Sequence, residues 1–272
     1  MRTEIIRNLS GKIGGSLPLP LYCRVINLRN SLRSKKHRIS TVEGDFIHSA
    51  YDGDDKIYLC RRGRHNRYKS GVLSGVSRLA ADYHLNKIAI KTGGLLIDCG
   101  ANIGELGIWA QKQGLSYIGF EPEELEARCN DLNNFNALPK TIRKALWKTN
   151  TELEFFTKPG TADSSLFDMG TAETVERVQA VTLDSTVNIA EGKYKGTVIF
   201  KLEAEGAEPE VLEGATKSLA HIDYVAVDCG CERGVEKKHT FVETNTFLQD
   251  HGYRLQDAAF RRVTALYKNT RR

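Results

Sequence analysis

The chain has 272 residues, of which 40% are hydrophobic and 27% are charged. This composition is typical of a soluble globular protein and excludes the disordered and fibrous classes. The 39 basic and 34 acidic side chains leave a formal charge of +5. An excess this small does not indicate a nucleic-acid partner, and none is predicted.

Cysteine usage and the first residues of the chain predict a cytoplasmic protein. The six cysteines include one close pair, Cys229 and Cys231, and no C-x-x-C motif. A disulfide framework is therefore not expected, and a zinc site would need a second pair or histidines at ligand spacing. Residues 1–12 contain no apolar stretch of signal-peptide length, and no run approaches the length of a membrane span.

Residues 1–74 are predicted to form a basic extension of helix and hairpin, followed by one larger domain over residues 75–272. Glu4 is the only acid before residue 41. Four apolar residues share one face of a predicted helix: Leu21, Val25, Leu28 and Leu32. We favour a helix whose apolar stripe packs onto the larger domain, because this spacing is typical of a core. Peripheral contact of the basic N-terminus with an anionic membrane surface is left open.

A hairpin is predicted within residues 41–70, because alternating apolar patterns flank a turn signal at Asp52–Asp55. The hairpin leads into Arg61–Lys69, the densest basic cluster of the chain. Such a cluster could bind a phosphate or carboxylate, although charged loops are more often solvated.

The stretch Leu95–Glu121 has the pattern of a strand, a turn, a helix and a second strand. Leu95–Ile97 is an uninterrupted apolar run, as in a strand that is buried on both faces. Gly100 and Gly104 bracket the turn, apolar residues then recur at helical spacing, and a second apolar run ends at Glu121. The sequence therefore predicts a βαβ unit that ends in an acid.

This unit predicts a site for a nucleoside-containing cofactor. Glycines allow a sharp turn and the close approach of a ligand, and an acid after the second strand can accept hydrogen bonds from ribose hydroxyls. The turn lacks the G-x-G-x-x-G spacing, which disfavours an NAD-dependent oxidoreductase. Asp98 would sit poorly beside a pyrophosphate, but well near the ammonium and sulfonium of S-adenosylmethionine. A non-catalytic nucleoside-binding module or scaffold remains the alternative.

The rest of the chain repeats the alternation of strand and helix, which predicts a doubly wound α/β sheet. The predicted strands are Thr141–Leu146, Thr197–Leu202, Tyr224–Asp228 and Arg262–Tyr267, with an antiparallel insertion formed by residues 153–156 and 178–183. Ligands bind outside the carboxyl ends of parallel strands. Glu203 and Glu205 should therefore face the same cleft as Gly100 and Glu121.

Several segments together resemble the FkbM-type family of S-adenosylmethionine-dependent methyltransferases. They are LLIDCGANIGELG, YIGFEPE, the Ser-Ser of DSSLF, VTLD and FKLEAEGAEPEVLEGA, and the match extends through DCGCERG to TALYKN. The resemblance implies a Rossmann-like class I methyltransferase fold, with a seven-stranded, mostly parallel sheet whose last strand is antiparallel. It also implies O-methylation of a hydroxyl on a sugar, a polysaccharide precursor or a related natural product.

The resemblance also implies which residues bind the cofactor. The methionine-binding turn of the family matches Asp98, Gly100, Ala101, Asn102 and Gly104, its ribose acid matches Glu121 with Pro122, and Ala145 fits beside the adenine. The family usually has an aspartate where this chain has Glu203.

A sugar hydroxyl is a weak nucleophile, so its methylation needs a base or a cation that stabilises the forming alkoxide. We expect Glu203 or Glu205 to take the proton, with Lys201 orienting or pairing with the acid. A Mg²⁺ ion held by Glu203, Asp228 and Glu232 is left open, although no metal site is predicted.

The basic residues of Arg61–Lys69, together with Arg233, suggest an anionic acceptor such as a nucleotide-linked or acidic sugar. The partner is therefore expected to be a small-molecule or glycan acceptor, and a homo-oligomer is left open.

Overall fold

The computed structural model describes residues 17–43, 47–52, 55–157, 164–168, 170, 174–189 and 192–272. The chain divides into two compact units, Met1–Ser77 and Arg78–Arg272. The boundary between them lies inside one helix, Val72–Asp82.

The first unit contains a helix packed on a small antiparallel sheet. Its elements are α1 (Leu19–Leu32), β1 (Arg38–Glu43), β2 (Ile47–Asp52), β3 (Asp55–Leu59), a 3-10 helix (Arg62–Tyr68) and the start of α2 (Val72–Asp82). The antiparallel pairing of β2 with β3 confirms the predicted hairpin. Asn27 fixes α1 to the sheet, because its amide donates to the carbonyl of Ile39 (2.7 Å) and accepts from the Ile39 N–H (2.9 Å).

Helix α1 presents a different face to the core than the sequence predicted. The side chains that it buries belong to Leu19, Cys23 and Asn30. The predicted apolar stripe is exposed instead, at 45% for Leu21, 47% for Val25, 63% for Leu28 and 80% for Leu32. The prediction that this stripe belongs to a core is therefore wrong.

The second unit alternates strands and helices. After a 3-10 turn (Leu85–Lys87) its elements are β4 (Leu95–Cys99), α3 (Glu105–Lys112), β5 (Ser116–Phe120), α4 (Glu124–Asn134), β6 (Ala145–Leu146), β7 (Thr151–Thr157), β8 (Thr174–Val181), α5 (Leu183–Thr186), β9 (Val198–Leu202), α6 (Glu208–Glu213), α7 (Thr216–Leu219), β10 (Tyr224–Asp228), α8 (Phe241–Asp250), β11 (Tyr253–Ala259) and β12 (Thr264–Asn269). This alternation confirms the predicted α/β class.

The main sheet is mixed and has the strand order β11-β12-β10-β9-β4-β5. Strands β5, β4, β9 and β10 are parallel to one another, whereas β12 is antiparallel to both β10 and β11. The predicted antiparallel last strand is therefore confirmed. Six strands pair in this sheet among the described residues, so the predicted total of seven is not confirmed.

The segment Thr141–Leu146, predicted as a strand, divides its pairing between two sheets. Ile142 forms a single parallel bridge with Phe120, while β6 pairs with β8 in a separate sheet of order β6-β8-β7. In that sheet β7 and β8 are antiparallel, which confirms the predicted insertion. Asp163, in the polar loop between β7 and β8, lies outside the described residues.

The register of the sheet positions the candidate site. Cys99 lies opposite Phe120 on β5 and opposite Leu202 on β9, and every residue of β4 and β9 is buried. The three neighbouring parallel strands therefore end at one level. The glycine turn, Glu121 and Glu203 all follow these strand ends and meet at the same edge of the sheet.

Candidate active site

The glycine turn after β4 is shaped by close packing of the protein against itself. Gly100 has φ of +69°, and a Cβ at this position would lie 2.3 Å from the backbone oxygen of Glu203. At Gly104, where φ is +80°, a Cβ would lie 2.0 Å from the side-chain oxygen of Asn130 on α4. Both positions therefore require glycine for backbone conformation and for the approach of neighbouring elements.

Glu121 stands beside this turn and is 6% exposed. Its carboxylate accepts hydrogen bonds from the backbone N–H groups of Asn102 (2.8 Å) and Glu123 (2.9 Å). Burial raises the pKa of Glu121 from 4.5 to about 8, although the amide of Glu123 opposes the shift. In its ionised form a carboxylate has about four acceptor positions, so in that form two remain for the hydroxyls of a ribose.

A cleft lies at this edge of the sheet. The predicted residues that line it are Gly100, Asn102, Glu121, Pro122, Ala145, Glu203 and Glu205. Phe120, Leu146, Phe155 and Leu166 add apolar walls. Polar groups near Glu121 and apolar walls beyond it suit a nucleoside, which has a polar ribose and a flat, largely apolar base.

Asp98 is buried behind the turn rather than exposed in the cleft. It is 1% exposed, and its carboxylate lies 3.0 Å from Nζ of Lys201 and accepts a hydrogen bond from the Tyr117 hydroxyl at 3.2 Å. Burial raises the pKa of Asp98, and the charge of Lys201 opposes that shift. Together with Ala101 and Gly104, Asp98 is absent from the lining of the cleft in the described part of the chain.

Lys201 holds the turn in place from β9. Its Nζ donates to the carbonyls of Cys99 (2.9 Å) and Gly100 (2.8 Å) and lies 3.3 Å from the Glu203 carboxylate. Burial alone would lower its pKa, but the charges of Asp98 and Glu203 raise it. Lys201 is therefore a cation that fixes the turn and pairs with Glu203.

Glu203 is the most strongly paired acid of the site. Besides Lys201, its carboxylate accepts a hydrogen bond from Nη2 of Arg262 at 2.5 Å. Burial by itself would raise the pKa of Glu203, but Lys201 and Arg262 lower it, with a further hydrogen bond to Tyr83. Glu203 consequently stays ionised and has little tendency to accept a proton.

Arg262 was not predicted as a site residue. Its Nε also donates to Asp228 at 2.5 Å, so one guanidinium joins the acids that follow β9 and β10. Arg262 lies in the turn before β12, far from Glu203 in sequence, and no local motif marks it. Only the pairing of β12 with β10 brings it to Glu203 and Asp228.

A second group of acids, Glu205, Glu232 and Asp228, neighbours the ion pair of Glu203 with Arg262. Glu205 has φ of +49° and lines the cleft, and its side chain interacts with that of Glu232. Burial, followed by the charges of Asp228 and Glu203, raises the pKa of Glu232 to about 7. Burial also raises the pKa of Asp228 to about 6. This group can hold a proton near neutral pH.

Glu208 fixes the loop that carries Glu203 and Glu205. One of its carboxylate oxygens accepts from the N–H groups of Ala204 (3.0 Å) and Gly206 (3.1 Å), and the other accepts from the Thr240 hydroxyl (2.6 Å). Burial raises the pKa of Glu208 to about 7. The loop after β9 is thereby fixed by side-chain hydrogen bonds at its base.

Two predictions about charged ligands find no support in this geometry. Among the described residues, no group of three or more His, Cys, Asp or Glu is arranged to hold a metal ion, so Mg²⁺ is unsupported. Arg233, expected to attract an anionic acceptor, instead forms a two-pronged ion pair with Glu210 (2.9 and 2.5 Å).

The family of this chain is decided by a comparison of its sequence with models of known protein families. Residues 98–255, more than half of the chain, match the model of the methyltransferase FkbM domain. The chain belongs to the FkbM methyltransferase family. It is therefore a methyltransferase that uses S-adenosylmethionine as its methyl donor.

Solved structures similar to this FkbM methyltransferase share little sequence with it. A TehB-like SAM-dependent methyltransferase from Corynebacterium glutamicum is 12% identical, with 73% of this chain and 96% of that one covered and a TM-score of 0.38. Magnesium protoporphyrin IX methyltransferase from Synechocystis PCC 6803 with bound SAM is 16% identical, covering 72% and 76%, at 0.35. A SAM-dependent methyltransferase from Aquifex aeolicus is 13% identical, covering 72% and 96%, at 0.38. A comparison with curated protein sequences finds no match.

Proposed function

We propose that this FkbM methyltransferase is an O-methyltransferase that acts on a hydroxyl of a sugar, a polysaccharide precursor or a related natural product. The observation that supports this is the position of Glu205, whose side chain lines the cofactor cleft and interacts with Glu232. An alcohol keeps its proton at neutral pH, so a hydroxyl acceptor needs a proton-accepting group beside the cleft.

The residues of the cleft fit the cofactor. Gly100, Asn102, Glu121, Pro122 and Ala145 would hold S-adenosylmethionine, with the free acceptor positions of Glu121 available to its ribose. When bound, this cofactor supplies an electrophilic methyl group from its sulfonium. Asp98, Ala101 and Gly104 do not line the cleft. Their role would be to maintain the conformation of the turn that faces it.

Among the acids of the cleft, we assign the role of general base to Glu205. Glu203 is held ionised by Lys201 and Arg262 and is a weak base for that reason. Glu232 neighbours Glu205 and has a pKa near 7, where an acid that exchanges protons at neutral pH is most effective. The acceptor hydroxyl would give its proton to the carboxylate of Glu205, and Glu232 would share it.

The acceptor class is tested by a screen with methyl-labelled S-adenosylmethionine. The panel contains neutral sugars, acidic sugars and nucleotide-linked sugars, with amine and thiol compounds of similar size. We expect label on a hydroxyl oxygen of at least one sugar. Transfer to amines or thiols alone would refute O-methylation. The amount of label transferred to charged sugars, relative to neutral sugars, decides whether the acceptor is anionic.

With an acceptor in hand, Glu205→Gln tests the base. We expect kcat to fall by about 10²-fold or more, which is typical of losing a general base, while calorimetry shows unchanged cofactor affinity. Glu213→Gln, at an exposed position on α6, serves as the control and should keep full turnover. Normal turnover by Glu205→Gln would remove Glu205 from the reaction.

A further inference from the structure

Helix α1 carries an apolar stripe, Leu21, Val25, Leu28 and Leu32, that no described part of the chain covers. The exposure of these four side chains increases along the helix, from 45% at Leu21 to 80% at Leu32. At 100° per residue they fall within about 60° of one another. They therefore form one continuous apolar strip about three turns long.

The stripe lies opposite the face that holds α1 to its own unit. Leu19, Cys23 and Asn30 are buried, and helical geometry places them about half a turn away from the stripe. Asn27 hydrogen bonds to β1 on the buried side. The helix is thus fixed by one face and presents the other outward.

Basic side chains frame the stripe. Arg24 and Arg29 lie on either side of it by helical geometry, and Arg33, Lys35 and Lys36 follow at its C-terminal end; all five are exposed. No acid occurs between residues 17 and 42. An exposed apolar strip between cations matches a surface that is apolar below and anionic above, which is the boundary of a bilayer with anionic headgroups.

The same charge pattern disfavours a second copy of this chain as the occupant. Two α1 helices that met through their stripes would bring arginines together, with no acid on either helix to neutralise them. An acidic lipid surface neutralises the same side chains. Among the described residues no helix is long and apolar enough to cross a bilayer.

We propose that α1 docks this methyltransferase on anionic lipid membranes. The stripe enters the boundary between headgroups and acyl chains, while Arg24, Arg29 and the cations after Leu32 contact the lipid phosphates and carboxylates. The helix lies parallel to the membrane surface. This docking concerns the first unit and is independent of the acceptor that the second unit methylates.

The test is co-sedimentation of the full chain with vesicles. Vesicles of phosphatidylcholine alone are compared with vesicles that contain about a third phosphatidylserine, at low and high salt. We expect binding to the anionic vesicles that weakens with salt, because the charges of the lipid surface are screened. Equal binding to both vesicle types, or to neither, would refute the proposal.

Two variants separate the stripe from the rest of the surface. The double variant Leu28→Glu/Leu32→Glu should reduce the partition coefficient by about tenfold or more, because charge replaces apolar contact. Leu138→Glu changes a residue of similar exposure, 54%, in the second unit and should bind like the wild type. Equal loss in both variants would indicate non-specific adsorption and overturn the proposal.

Light scattering without lipid tests whether the stripe instead binds a second copy of this chain. We expect Leu28→Glu/Leu32→Glu to leave the molar mass of the chain unchanged. If the wild type is an oligomer that dissociates in this variant, and if the wild type does not bind vesicles, the stripe is a protein interface. Circular dichroism of each variant confirms that lost binding does not reflect an unfolded chain.

Discussion

Lys201 shows how one side chain can hold the glycine turn in place without lining the cleft itself. It is 2% exposed and neutralises Asp98 while its ammonium donates to two carbonyls of the turn. Lys201→Met should lower the free energy of unfolding by about 3–5 kcal/mol, because it leaves Asp98 buried without its counter-charge. Urea unfolding followed by tryptophan fluorescence measures this, since both tryptophans, Trp109 and Trp147, belong to the second unit.

The partner variant distinguishes charge from packing. Combining Lys201→Met with Asp98→Asn should restore part of the lost stability, because the uncompensated carboxylate is then gone. Lys217→Met removes an exposed lysine and should change stability by less than about 0.5 kcal/mol. A Lys201→Met loss as small as that of Lys217→Met would contradict the role assigned to this ion pair.

At the scale of elements, the glycine turn is also a packing contact between α3 and α4. Gly104→Ala would place a Cβ 2.0 Å from Asn130 at a φ of +80°. Gly93→Ala is the matched control, because Gly93 has φ of +77° and no atom within 4 Å of the added carbon. Both variants share the cost of the backbone, and we expect Gly104→Ala to lose a further ~1–3 kcal/mol from overpacking. Equal losses in urea unfolding would show that helix packing does not select glycine.

The elements that could be predicted from the sequence are the strands that are buried on both faces. β4 and β9 are buried along their whole length, so they read as uninterrupted apolar runs, and the turns and acids that follow them could be placed on one edge. Helix α1 was harder, because four apolar residues at helical spacing define a face but not what covers it. Its burial depends on long-range packing that no local pattern records.

The candidate site was also predictable only in part. Glu121 and Glu205 follow apolar strands, and the cleft contains both. Asp98 was expected to face the cofactor, yet the alternation of a strand buried on both faces leaves its direction undecided, and it points at Lys201. Arg262 reaches Glu203 and Asp228 only through the order of strands in the sheet.

The second unit as a whole concentrates buried acids at one edge of its sheet. Burial raises the pKa to about 8 for Glu121, about 7 for Glu208 and Glu232 and about 6 for Asp228. Each of these groups binds a proton more tightly in the folded chain than in the unfolded one. At these four groups the folded state therefore carries more protons than the unfolded state from about pH 4.5 to about pH 8, and their contribution to stability declines as pH rises through this window.

Glu208 offers the clearest test, because it is fully buried and accepts hydrogen bonds that glutamine can also accept at one oxygen. Its contribution is complete below about pH 4.5 and is lost as pH rises through about 7. In Glu208→Gln the decline in unfolding free energy between pH 5 and 7 should be shallower than in the wild type by up to about 1.4 kcal/mol per pH unit, the value of one proton. Urea unfolding followed by tryptophan fluorescence across this range measures the slope. Glu213→Gln, exposed on the same helix, should keep the wild-type slope, and a wild-type slope in Glu208→Gln would show that its carboxyl group does not titrate in this window.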